Sequence, residues 1–125
     1  MNKNRAQFTI ELDGVEYEAG ATFDSACVFE TKACVYVFDA LRSMRNESIG
    51  FKVIASAIWA AIRAGYKRNG TLDQCPSFDF IGQKCMDEGV EKSVGYAAEF
   101  LSKCVSSKKT LEEYEETTKN EVGEG

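Results

Sequence analysis

The chain has 125 residues, a formal net charge of −5, 44% hydrophobic residues and 28% charged residues. This length fits a single domain that buries its own core, since domains usually span roughly 100 to 200 residues. The acidic balance argues against a nucleic-acid partner, and the absence of histidine and of any CxxC pair removes the common zinc sites.

The N-terminal segment 7–12 alternates apolar and polar side chains, which predicts a half-buried β-strand. Asp13-Gly14 follows, the preferred pair for a type I′ two-residue turn, and residues 15–18 alternate again. This register places Ile10 opposite Tyr17, so that the apolar sides of both strands coincide. An isolated two-stranded hairpin is marginal in water. We therefore expect it to pack on helices or to join a sheet from another subunit.

Helical periodicity accounts for most of the remaining chain. Thr22 is a suitable N-cap for a first helix, because Asp24 follows in the first turn, where a helix favours negative charge. The pattern of this helix places Phe23 and Cys27 on its buried side, and Pro76 fits the first turn of the fourth helix. The predicted helices cover residues 23–32, 36–45, 50–67, 76–88 and 90–106, and the glycines at 70 and 89 end two of them.

The third predicted helix has very little polar surface. At 100° per residue it has a bulky face and, beside it, a smooth face made largely of alanine. Its apolar run, residues 53–62, is too short for a bilayer, which needs about 20 residues. We therefore place it at the centre of the domain. The narrow sector predicted to face water contains Lys52, Ser56, Arg63 and Lys67.

The C-terminal segment is acidic, since residues 110–125 contain six glutamates against one lysine. Only Leu111, Tyr114 and Val122 offer apolar surface, too little to offset the entropy of ordering the segment. We expect one globular domain over residues 1–107 and a flexible acidic tail over 108–125. The predicted fold class is α+β, mostly α: an N-terminal β-hairpin followed by a small bundle of about five helices around a central apolar helix.

The five cysteines are informative about the redox state of the cellular compartment and do not point to a particular reaction. Four of them lie in or beside apolar-patterned segments, where a free cysteine behaves as a small hydrophobe. Buried reduced thiols would imply a reducing cytoplasm. The polar start, MNKNRAQ, lacks the apolar region of a signal peptide.

No group of residues in the sequence is typical of a catalytic or metal site. Without histidine the usual base for activating a thiol or hydroxyl is missing. The densest carboxylates, at 112–113 and 115–116, lie in the predicted tail, and a solvated acidic face explains them better than a preorganised site. They also lack the spacing of a calcium loop. We therefore expect no enzyme activity, no metal and no cofactor.

Apolar side chains that fall off the core-facing stripes are the candidates for partner binding. Val28 points away from the buried side of the first helix. The ordinary explanation is that a compact bundle contacts its helices on more than one side. The functional one is a protein-binding surface, in which aromatic residues and methionine are enriched. The candidate partner-binding residues are Phe80, Met86, Tyr96, Phe100, Leu111 and Tyr114.

Several short sequence motifs follow one another along the chain in a recognisable order. The opening FTIELDGVEYEAGATFDSACVFE combines the Asp13-Gly14 hairpin with Thr22 and Phe23 at the start of a helix. FDALRSM at 38–44, VIASAIWAAIRAG at 53–65 and GTLDQ at 70–74 follow. In this order they resemble the tail assembly chaperones of long-tailed bacteriophages and gene transfer agents, over roughly three-fifths of the chain. The cysteines and the CPSF stretch at 75–78 depart from the family pattern.

The resemblance implies a non-enzymatic protein made in the host bacterial cytoplasm during virion morphogenesis. Such chaperones coat the long tape measure protein, keep it soluble and recruit tail tube subunits, and they are absent from the mature virion. In many of these phages a programmed frameshift adds a second domain. The smooth alanine face of the central helix offers a route to self-association. We expect neither nucleic acid nor membrane as a partner.

Two other classes of protein fit the sequence. One is a small structural tail or connector protein that is retained in the virion. The other is an acidic adaptor or inhibitor that binds a host protein through its C-terminal tail. An enzyme ranks behind all three.

Overall fold

The computed structural model describes residues 6–107 and Thr110, and this part of the chain contains a β-hairpin followed by five helices. It is mostly helical, which confirms the predicted α+β fold. The tail at 108–125, including the candidates Leu111 and Tyr114, lies outside the described residues apart from Thr110. The elements are β1 (Phe8–Leu12), β2 (Val15–Ala19), α1 (Phe23–Ala33), α2 (Val37–Arg45), α3 (Phe51–Arg68), a 3₁₀ turn (Leu72–Gln74), α4 (Phe78–Glu88) and α5 (Val90–Val105).

The hairpin has the predicted turn and register. Its strands are antiparallel, with Ile10 opposite Tyr17. Asp13 and Gly14 have φ angles of 52° and 82°, and a type I′ turn requires positive φ at both positions. Ile10 is fully buried, because the apolar face of the hairpin packs on α3 and α4 of the same chain. The alternative of a sheet shared with another subunit is not needed to cover this face.

Helix α3 lies directly against the backbone of β2. The Gly20 N–H donates a hydrogen bond to the Ala61 carbonyl over 3.0 Å, and Arg68 Nη2 lies 3.0 Å from Glu18 Oε1. Gly65 faces the end of the strand, where a Cβ atom would overlap the Glu18 carbonyl oxygen and lie 2.6 Å from its carbonyl carbon. Glycine is therefore required at position 65 for this close approach.

Helix α3 is the centre of the described domain, as predicted, and contacts α1, α4, α5 and the hairpin. Its alanine face is buried inside the chain, so this face is not free for self-association. Ser56 was placed in the water-facing sector, and this prediction is wrong. Its side chain is fully buried, because neighbours surround α3 on nearly all sides, and its hydroxyl has no hydrogen-bond partner among the described residues.

Helix α1 begins at the predicted cap. Thr22 Oγ1 accepts a hydrogen bond from the Ser25 N–H over 3.0 Å, and Ser25 Oγ accepts one from the Thr22 N–H over 2.7 Å. This reciprocal pair is a capping box with serine at its third position. The predicted burial of Phe23 and Cys27 is wrong, because the core covers the side of α1 that contains Ser25 and Phe29.

The other helix ends described here lie where short sequence signals predict them, except that α4 begins after the position predicted from Pro76. Tyr66 accepts the Thr71 N–H and Lys67 accepts the Gly70 N–H, the hydrogen-bond pattern of a Schellman cap at the end of α3. Ser77 caps α4 by accepting the Phe80 N–H over 3.1 Å. Pro76 therefore precedes α4, whereas the sequence placed it in the first turn. No helix in the described part of the chain is long and apolar enough to span a bilayer.

The cysteines are less buried than expected. Cys85 is buried, whereas Cys27 and Cys34 are exposed and Cys75 and Cys104 are partly covered. Burial raises the pKa of the Cys85 thiol to about 11, so this thiol stays protonated at neutral pH. The prediction of generally buried thiols is wrong because apolar spacing along a helix does not specify which side its neighbours cover.

Candidate functional site

A groove runs along the surface where α1, α3 and the start of α4 meet, and its volume is about 660 Å³. We call it the α1–α3 groove. Its lining includes Cys27 and Thr31 of α1. Its apolar surface comes from Val28, Trp59 and Phe78, and its cations are Lys32, Lys52 and Arg63. None of the lining side chains in residues 6–107 is a carboxylate.

The aromatic floor of the groove is held in place by two contacts. Trp59 and Phe78 meet edge to face, with ring centroids 5.9 Å apart and an interplanar angle of 84°. The indole Nε1–H of Trp59 donates a hydrogen bond to the Pro76 carbonyl over 3.1 Å. This hydrogen bond fixes the orientation of the indole, and the rest of the ring contributes apolar surface to the groove. The link between α3 and α4 thus positions the floor.

Lys32 extends from α1 over both rings. Its Nζ lies 5.3 Å from the ring centroid of Trp59 and 4.9 Å from that of Phe78. Such cation–π contacts are worth about 0.5–1 kcal/mol at exposed sites and more when water is excluded. They keep the ammonium group beside the apolar floor without neutralising its charge.

Two cations of the groove lack an acidic partner among the described residues. Most lysine and arginine side chains in residues 6–107 lie within 4.0 Å of a carboxylate of the same range, and the exceptions are Lys32, Arg45 and Lys52. Two of these three line the groove, and Arg45 lies on α2. Surface cations in an acidic chain usually find a carboxylate, so Lys32 and Lys52 give the groove a local positive charge.

The third cation, Arg63, belongs to a structural ion pair. Arg63 Nη1 lies 3.0 Å from Asp24 Oδ2, and Lys67 Nζ lies 3.2 Å from the same oxygen. Partial burial raises the pKa of Asp24, but the hydrogen bonds and charges of Lys67 and Arg63 outweigh it, and the net pKa is lowered. The three side chains join the start of α1 to the end of α3 at one end of the groove.

The predicted partner-binding residues of α4 are exposed, as expected. The exposed fraction is 46% for Phe80 and 56% for Met86. Six positions on a helix correspond to a rotation of about 120°, so the two side chains do not share one face. Lys84 Nζ lies 5.5 Å from the centroid of the Phe80 ring, and it pairs with Asp13. Phe80 and Met86 therefore form two separate small apolar patches on the surface of α4.

The candidates on α5 have structural roles. Phe100 is fully buried and packs edge to face on Phe29, with ring centroids 6.1 Å apart. Its prediction as a partner-binding residue is wrong, since α1, α2 and α3 all cover α5. Tyr96 is partly buried, and its hydroxyl accepts the Glu11 N–H over 3.1 Å, which holds the hairpin against α5.

Sequence reasoning missed the groove because its residues come from three helices. Val28 was recognised as lying off the buried side of α1, and this was the available signal. Trp59 lies within the apolar run 53–62 of the predicted central helix, which was expected to be buried. The two unpaired lysines lie 20 positions apart along the chain, and no local pattern connects them.

The groove is equipped for binding. It offers an aromatic floor, the cations Lys32 and Lys52, and an exposed thiol at Cys27. No group of three or more His, Cys, Asp or Glu side chains within residues 6–107 is arranged to hold a metal ion. The arrangement suits a polypeptide with one apolar and one acidic side. Comparison of the chain with family models, with curated proteins and with solved structures finds no match.

Proposed function

We propose that the protein is a tail assembly chaperone of a long-tailed bacteriophage or gene transfer agent. It binds the tape measure protein in the host bacterial cytoplasm, recruits tail tube subunits and is left out of the mature virion. The resemblance of the ordered phrases in the sequence motivates this proposal. The observation that carries it furthest is the α1–α3 groove, an apolar surface lined by Lys32 and Lys52, which have no acidic partner among the described residues.

The client of this groove is an amphipathic helix of the tape measure protein. Its apolar side lies on Val28, Trp59 and Phe78, in the way that helices bind hydrophobic grooves through residues at helical spacing. Its acidic residues face Lys32 and Lys52. These charges select the orientation of the helix and increase the rate of encounter more than they increase affinity. Covering the apolar side of successive client helices keeps a long helical protein soluble.

The test is co-expression of the chain with the tape measure protein of the same genome, followed by co-purification. Reversal of the charge of the groove in the double variant Lys32→Glu/Lys52→Glu should abolish co-purification and leave the client insoluble. The matched control is Arg45→Glu, which reverses the third unpaired cation outside the groove and should retain the client. Retention of the client by the groove variant would refute this binding site.

The outer side of α4 is the competing surface. The double variant Phe80→Ser/Met86→Ser removes both exposed apolar side chains of that helix. It should still bind the tape measure protein if the groove is the client site. Loss of the client in this variant alone would move the client site to α4.

Mass spectrometry of purified particles separates the proposal from its two rivals. A chaperone is absent from mature particles, whereas a structural tail or connector protein is recovered at a fixed ratio to other subunits. An adaptor that acts through its acidic tail should lose its host partner when residues 110–125 are deleted. A chaperone that binds through the groove should keep its client after the same deletion.

A further inference from the structure

We propose that the α1–α3 groove binds its client helix in one direction, parallel to α1, with the acidic residues of the client in its last turn. The inference rests on the proposed function in one respect, which is the use of the groove as the client site. It adds the direction and the charge pattern of the helix that the groove accepts. Both follow from a difference in charge between the two ends of the groove.

The antiparallel packing of α1 and α3 defines the two ends of the groove. At one end, Asp24 near the start of α1 lies 3.0 Å from Arg63 near the end of α3. At the other end, the Sγ atom of Cys34, just after α1, lies 4.0 Å from Lys52 Nζ in the first turn of α3. The distance along α3 from position 52 to position 63 is about 16 Å, at 1.5 Å per residue, which matches a docked helix of about three turns.

The end of the groove near Arg63 has its own negative charge. Thr22 and Ser25 form the capping box of α1, and Asp24 follows in the first turn of that helix. The Asp24 carboxylate also pairs with both Arg63 and Lys67. The start of α1 and both cations at this end therefore have an acidic partner within the chain.

The end of the groove near Lys52 lacks such negative charge. Gly50 is the N-cap of α3 and has no side chain to accept a hydrogen bond, and the first turn of α3 contains no acidic residue. Each of the other four α-helices in residues 6–107 has an acidic residue in its first turn. The start of a helix carries partial positive charge, to which Lys52 adds a full one. Lys32, in the last turn of α1, is the second cation of the groove without a carboxylate partner in this range.

This difference between the ends favours one direction of a bound helix. The last carbonyl groups of a helix carry partial negative charge, so a client whose C-terminal end lies over the start of α3 is favoured over the reverse. Glutamate or aspartate in its last turn adds full negative charges opposite Lys32 and Lys52. Its preceding turns then place apolar side chains on Trp59 and Phe78. The client therefore supplies the carboxylates that the first turn of α3 lacks.

Two synthetic peptides of equal length and composition test the direction. Both have the same apolar residues at helical spacing, and a block of glutamates lies in the last turn of one peptide and in the first turn of the other. Trp59 is the only tryptophan in the chain, so its fluorescence in the full-length protein measures binding to the groove. The peptide with C-terminal glutamates should bind about tenfold more tightly at low salt. Carboxylates disfavour a helix C-terminus, so the helicity of the free peptides predicts the opposite order.

The variant Gly50→Asp supplies the missing charge from within the chain. The backbone at position 50 is extended, as an N-cap requires, and an added Cβ has no heavy atom within 4 Å. Aspartate should cap α3, raise the melting temperature and remove most of the preference for C-terminal glutamates. The matched control Gly50→Ser caps the helix without a charge, so it should raise the melting temperature and keep the preference. Lys52→Gln should reduce the preference, whereas Arg45→Gln, outside the groove, should keep it.

Two native thiols measure the direction independently. Cys34 is exposed and lies at the Lys52 end, whereas Cys27 is exposed and lies about 10 Å earlier along α1, at 1.5 Å per residue. A peptide with an activated disulfide at its C-terminus should modify Cys34 faster than Cys27. The same group at the N-terminus of the peptide should reverse this order.

The outcomes distinguish this inference from the proposed function. Equal affinity of the two peptides, or tighter binding of the peptide with N-terminal glutamates, would overturn the direction and leave the groove as a helix-binding site. Binding of neither peptide would overturn the inference together with the assignment of the groove as the client site. Binding in the expected order without co-purification of the tape measure protein would support the inference and count against the chaperone proposal alone.

Discussion

Because α3 closely approaches β2, replacing glycine with alanine should destabilise the protein at Gly65 in α3 and stabilise it at Gly95 in α5. Gly65→Ala adds a Cβ that would overlap the Glu18 carbonyl group, and Ala19 N would lie 3.2 Å away. Gly95→Ala, in α5, adds a Cβ with no heavy atom within 4 Å. Both changes remove the entropic cost of a helical glycine, but only the first creates a clash.

The magnitudes follow from these two environments. Overpacking costs about 1–3 kcal/mol, and we take the upper end for Gly65→Ala because both clashing partners belong to backbone. The gain in helix propensity offsets about 1 kcal/mol of this cost. The free energy of unfolding should therefore fall by about 2 kcal/mol in Gly65→Ala and rise by up to about 1 kcal/mol in Gly95→Ala. The first change is a large fraction of the 5–15 kcal/mol typical of domains.

Urea unfolding followed by circular dichroism measures both changes. A loss of about 2 kcal/mol lowers the midpoint by about 1 M urea at an ordinary slope for a chain of this size. Hydrogen exchange gives a local measurement, because the Gly20 N–H bonded to Ala61 should exchange faster in Gly65→Ala than unfolding alone explains. The reasoning is refuted if Gly65→Ala is as stable as the unmodified chain, or if Gly95→Ala loses as much stability as Gly65→Ala.

Four further substitutions or conditions test other parts of the structure. Ser56→Ala removes a buried hydroxyl that has no partner within residues 6–107 and should raise the free energy of unfolding by about 1 kcal/mol in urea titration, whereas a loss would indicate a hydrogen bond. Cys34→Gly relieves a non-glycine φ of 60° at the end of α1, so the melting temperature should rise, and a decrease would contradict the left-handed cap. At pH 8, iodoacetamide should modify Cys27 and Cys34 in the native chain but not Cys85, whose pKa is about 11, and peptide mass spectrometry detects the difference. Because the pKa of Asp24 is lowered on folding, its contribution is complete above the ordinary value of 3.8 and lost as the pH falls through the folded pKa. Asp24→Asn should therefore be less stable than the unmodified chain at pH 7, by under about 1 kcal/mol because the pair is partly exposed, and the difference should shrink as the pH falls through the folded pKa of Asp24.

Local structure was readable from the sequence wherever a few neighbouring residues determine it. The alternation of residues 7–12 and the Asp13-Gly14 turn were sufficient for the hairpin and its register. Thr22 marked the start of α1, and glycines marked the ends of α3 and α4. These features depend on backbone conformation and hydrogen bonds within a few positions, which one segment specifies by itself.

The identity of the central helix was also readable, because a helix that is apolar around most of its circumference must be surrounded. The side that α1 buries was not, and neither was the full extent of burial on α5. Phe23 was assigned to the core and is exposed, while Phe100 was assigned to a binding surface and is buried. The position of a side chain on its own helix is local information, but its burial depends on which distant helices pack against it.

The α1–α3 groove illustrates the same limit for function. Its apolar floor and unpaired cations come from α1, α3 and α4, and none of these helices signals the groove alone. Lys32 and Lys52 become neighbours of one surface only after α1 packs on α3. The sequence specified the elements and the turns between them. Packing between distant segments determined which side chains the finished domain leaves uncovered, because burial is a property of neighbours that no single segment contains.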